Sequence, residues 1–139
     1  MVRFLGIILL LFLTSCGPQS LEDYRREGRE SVRALTNELR QIQTRQDLVA
    51  AAPLLKKQFN RIVDLMIAAR ETYESHPGMD SMGLSEEDHE YSNQLRVEIE
   101  RISRIEGAEK LLAKCQEEAL NRLHVHQQRI LKAKNTRHR

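Results

Sequence analysis

From residue 21 onward, apolar side chains return every three or four positions, the spacing that aligns one face of an α-helix. In residues 21–43 the stripe is Leu21, Tyr24, Gly28, Val32, Leu35, Leu39 and Ile42. Gly28 interrupts it, either weakening the helix or admitting a close neighbour. Thr44 and Asp47 then have capping-box spacing. A second stripe follows with strict alternation of four and three: Leu48, Ala52, Leu55, Phe59, Ile62, Met66, Ala69 and Tyr73. Val63 and Ile67 widen it, so this helix is expected at the centre of the fold, with Leu55, Phe59, Ile62 and Met66 in the core. Pro53 lacks a backbone donor and is expected to kink the helix near Val49 or to mark its effective start.

His76, Pro77 and Gly78 end that helix, because proline cannot continue it and glycine tolerates the reversal. Ser85 to Asp88 reads as a second capping box, with acids placed where a helix N-terminus favours them. The third pattern, residues 86–134, has Tyr91, Leu95, Ile99 and Ile102 as its first stripe. Leu112, Cys115, Ala119, Leu123, His126 and Ile130 form its second. Residues 103–107 between them hold the weakest helix formers, but no proline or polar cluster accompanies Gly107. A continuous or kinked helix is therefore expected. Together the patterns predict an all-α fold, an antiparallel three-helix hairpin or bundle with a long third helix overhanging at its basic end.

The first sixteen residues follow another rule. Met1-Val2-Arg3 supplies one positive charge, residues 4–13 are an uninterrupted apolar run, and Thr14-Ser15-Cys16 closes it. This is the three-part build of a secretory signal, read as a signal-peptide helix too short to span a bilayer, which needs roughly 20 apolar residues. Its end, Leu13-Thr14-Ser15-Cys16, resembles the lipobox of bacterial lipoproteins. That resemblance covers only the leader. It implies cleavage before Cys16, a diacylglyceryl thioether on the Cys16 sulfur and a further acyl chain on its amino group. Gly17 is not the aspartate associated with inner-membrane retention, so the resemblance points to the outer membrane. The expected organisation is a signal peptide over 1–15, a lipidated tether over 16–20, a helical domain over 21–134 and a basic tail over 135–139.

Composition agrees with helices: aromatics make up 4% of the 139 residues, tryptophan is absent and only three prolines occur. A formal net charge of +2 gives no support to nucleic-acid binding. With Cys16 lipidated, Cys115 has no partner in its own chain, and its stripe predicts a buried, inert thiol, the alternative being a disulfide between two copies.

The charges are unevenly placed. Residues 71–90 hold seven acids and no lysine or arginine, while Arg122, Arg129, Lys132, Lys134, Arg137 and Arg139 follow residue 119 with no acid. Helix dipoles explain part of both runs. The basic surplus makes Arg129, Lys132, Lys134, Arg137 and Arg139 a candidate surface for anionic lipid or an acidic partner. Chemistry is otherwise sparse. His124 and His126 point apart on a helix, and no metal-ligand spacing, nucleophile turn or phosphate loop occurs. Taken with what the lipobox resemblance implies, the expectation is a non-enzymatic envelope lipoprotein, held to the membrane through Cys16, without cofactor, that binds an envelope protein. The alternative is a small-ligand binder using the bundle interior.

Overall fold

The structure is a computed structural model and describes residues 20–75 and 85–137. Cys16, the signal peptide and Arg139 therefore lie outside the described residues. The rest is helical: α1 (Leu21–Arg40), α2 (Arg45–Ser75), α3 (Glu86–Ser103) and α4 (Ala108–Arg137). The all-α expectation holds, but four helices replace three.

Each start is built from short-range chemistry. Ser20 accepts from the Asp23 amide at 3.1 Å and caps α1. Thr44 Oγ1 accepts from the Asp47 amide while Asp47 accepts from the Thr44 and Gln43 amides, all within 3.1 Å. Those amide hydrogen bonds hold the Asp47 carboxyl below its ordinary range. Ser85 and Asp88 close the second capping box as the spacing predicts.

The long third helix is broken. After Ser103 the chain turns through Arg104 to Gly107, and Gly107 adopts φ +72°, a left-handed conformation that glycine enters without a Cβ clash. Ile102 and Ala108, on either side of the turn, are fully buried, so the reversal is fixed from within. Pro53, by contrast, does not mark the start of α2, which begins eight residues earlier at Arg45. The carbonyl freed by Pro53 belongs to Val49, a half-exposed residue.

Cross-helix pairs give the topology. Arg25 and Arg29 meet Asp88 near the starts of α1 and α3, and Arg101 meets Leu39 and Ile42 near their ends, so α1 and α3 run in the same direction. Cys115 meets Ala52, Lys56 meets Glu118 and His126 lies by Glu71, so α2 and α4 are also parallel. Glu27 pairs with Arg61, and α1 and α2 are antiparallel. The molecule is thus two antiparallel hairpins laid side by side, α1 on α3 and α2 on α4. Among the described residues, α2 and α3 do not pack on each other.

The core sits at the end carrying the two turns: Leu35, Leu39, Ile42, Leu48, Leu55, Ile102, Ala108, Leu112 and Cys115. Away from the turns, burial fades along every stripe. Leu48 and Leu55 are 0% exposed, Phe59 and Ile62 are partly buried, and Met66 and Tyr73 are 50% and 40% exposed. The expectation that Met66 is core is therefore wrong. The stripe continues past Ile62, and Val63 and Leu65 stay buried, but Met66 and Tyr73 face the gap where α2 and α3 diverge.

Candidate functional site

That divergence leaves an apolar groove. Its floor is α1 from Leu21 to Val32, one wall is α2 from Ile62 to Tyr73, and the other is α3 around Tyr91 and Leu95. The volume is about 630 Å³, within the ~300–1,000 Å³ common for small-ligand sites. Gly28 lies on the floor, and a Cβ built there would meet nothing within 4 Å. The glycine neither admits a close helix nor fills a contact: it leaves the groove wider.

The rim facing α3 is ionic. Asp88 is buried, 3.2 Å from Arg25 Nε and 2.9 Å from Arg29 Nε, and Arg29 also donates to Glu87 at 3.2 Å. The Ser85 amide, then the Ser85 hydroxyl and the two guanidinium groups, hold the Asp88 carboxyl below the usual range against the opposing effect of burial. One turn further, the Arg33 guanidinium lies 5.4 Å from the Tyr91 ring centre, within cation–π range. Arg40 then approaches Glu98 and donates to Gln94. The α1–α3 seam is therefore a ladder of arginines set against acids, which explains how α3 packs with so few apolar residues. Sequence reasoning missed this seam. Arg25, Arg29 and Arg33 at intervals of four were its signal, but nothing local ties them to residues 87–98.

At the far end of the seam, Arg101 Nη1 and Nη2 donate to the Ile42 and Leu39 carbonyls, both at 2.8 Å. A cation there adds to the hydrogen bonding of the carbonyls at the end of α1 and suits the negative end of its dipole. The α2–α4 seam is also edged by polar pairs: Lys56 with Glu118, Arg122 with Asn60 and Asp64, and His126 Nδ1 at 3.9 Å from Glu71. Cys115 is buried between these helices, with its thiol 3.8 Å from the Ala52 carbonyl. Burial pushes that thiol up, which keeps it protonated and unreactive at neutral pH. The buried-thiol reading agrees with this placement.

The candidate basic surface lies elsewhere. Arg129, Lys132, Lys134 and Arg137 are all exposed on the last turns of α4. His126, 3.9 Å from Glu71, is the last residue of α4 beside a polar group of another helix among those described, and only Ile130 is partly buried beyond it. This basic end belongs to α4 rather than to a single long third helix. The structure does not bring this surface together with the groove into one site.

Among the described residues no group of His, Cys, Asp and Glu is arranged to hold a metal ion, and no helix is long and apolar enough to cross a membrane. No family model matches the chain, and neither a curated protein nor a solved structure matches it.

Proposed function

We propose that the protein is a lipid-anchored, non-enzymatic module of the bacterial cell envelope, whose helical domain binds an apolar partner close to the membrane. The observation that carries this reading is Leu13-Thr14-Ser15-Cys16 directly behind a ten-residue apolar run. The lipobox resemblance makes Cys16 the membrane attachment and Gly17 favours the outer membrane. Only four residues separate Cys16 from Leu21, so the domain stands at the bilayer surface. Several acyl chains on one residue give the firm anchoring that a single chain does not.

A second reading, binding of a small apolar ligand, gains support from the groove between α1, α2 and α3. The sequence stripes alone gave it none. A protein partner in the envelope and contact of the basic α4 end with anionic lipid complete the proposed interactions.

The test is metabolic labelling with radioactive palmitate. Wild type is expected to take up label and lose residues 1–15. Cys16→Ala is expected to remain unlabelled with its leader attached. Normal processing and labelling of the alanine variant would refute the anchor.

A further inference from the structure

We propose that the groove between α1, α2 and α3 houses one acyl chain of the protein's own lipidated N-terminus. The inference rests on the lipoprotein reading and names what that reading leaves open, the occupant of the groove.

Position comes first. Leu21, the first residue of α1, lines the groove, and Cys16 precedes it by five residues. An extended link of that length reaches at most about 17 Å. The groove floor on α1 runs from Leu21 to Val32, about 16 Å at helical rise. A hydrocarbon chain attached at Cys16 is therefore within reach of the groove, whose floor is of comparable length.

The chemistry of the walls agrees. Ile62, Leu65, Met66, Ala69 and Leu95 offer aliphatic and thioether surface, with Met66 able to adapt to an irregular chain. The charged residues of the rim are already engaged, Arg25 and Arg29 with Asp88, and Arg70 with Glu74. An unbranched chain needs no hydrogen-bonding group. Gly28 leaves open the space that a side chain would occupy on the floor.

Tethering supplies the rest. A short flexible link raises the local concentration of an attached group to the millimolar range, and each methylene withdrawn from water adds about fourfold to affinity. With the remaining chains in the bilayer the anchor stays firm, so seating one in the groove does not release the protein.

The experiment feeds cells a fatty acid bearing a diazirine near its end, irradiates them, purifies the full-length protein and maps crosslinked peptides by mass spectrometry. The expected product joins the Cys16 peptide to peptides from residues 62–73 or 24–32 of the same molecule. Gly28→Leu, which plugs the floor and improves helix propensity, should cut that product by on the order of tenfold while melting no lower than wild type. Met66→Glu, at an exposed site, should do the same by charge. Groove peptides carrying free phospholipid, or crosslinked to another protein, would overturn the proposal in favour of that occupant. Crosslinks that persist in both variants, or fall outside the groove, would also overturn it. Absence of label from Cys16 is a separate outcome: it removes the lipoprotein reading itself, and the proposed occupant with it.

Discussion

Asp88 shows how much a single side chain carries in this molecule. It closes the capping box of α3, forms ion pairs with two guanidinium groups of α1 and sits buried at the rim of the groove. Its carboxyl titrates below the ordinary value of 3.8, so the folded state favours the ionised form. A depressed pKa contributes stability that is present above the unfolded value and is lost as pH falls through the folded one. Asp88→Asn keeps the shape and removes the charge. It should lower stability by roughly 1–2 kcal/mol at neutral pH and flatten the loss of stability below about pH 4. Urea unfolding at neutral and acid pH measures both effects, and a variant as acid-sensitive as wild type would contradict the assignment. The capping pairs Thr44 with Asp47 and Ser85 with Asp88 were legible in the sequence because their partners lie three residues apart. The salt bridges of Arg25 and Arg29 were not, because their partners lie about 60 residues away and only the fold joins them.

At the scale of elements, the periodicity marked nearly every helix but not every boundary. The stripes of α1 and α2 were correctly placed, and α2 runs through Pro53. The break at Gly107 was not legible because no proline or polar cluster accompanies the glycine, and a lone glycine costs a helix only about 1 kcal/mol. What decides it is tertiary: α3 runs beside α1, and past the end of α1 the chain turns back and Ala108 and Leu112 enter the core. The left-handed backbone at Gly107 makes this testable. In Gly107→Ala the new Cβ meets the Arg45 side chain at 3.0 Å and the conformation itself is strained. A loss of roughly 1–2 kcal/mol is expected, read as a lower urea midpoint. An alanine variant of equal or greater stability would mean that a continuous helix is the true arrangement. Met66 shows the converse limit: a stripe states which face is apolar, not whether another element covers it.

For the molecule as a whole, the groove and the basic α4 end are separate surfaces, and the second has a test of its own. Replacing Lys132, Lys134, Arg137 and Arg139 with Gln leaves the core untouched, since the first three are exposed and Arg139 lies outside the described residues. If this end contacts anionic lipid, unlipidated Cys16→Ala protein should co-sediment with anionic vesicles at low salt. The four-Gln form should bind several-fold less. Added salt should erase the difference, because exposed charges are screened beyond about 10 Å at 0.1 M. Equal, salt-insensitive sedimentation would leave these residues as a solvated helix end.

The fading of burial along the helices also bears on motion. Opening is easiest where few apolar contacts must break, and local free energies range from near zero there to the global value in the core. The turn end, holding Leu39, Leu48 and Ile102 together, behaves as a fixed root. The free ends of α1, α2 and α3 are prongs that can spread without unfolding it. Those prongs frame the groove, so thermal breathing is concentrated at that end of the molecule. There it widens and narrows the groove while the rest of the domain stays closed.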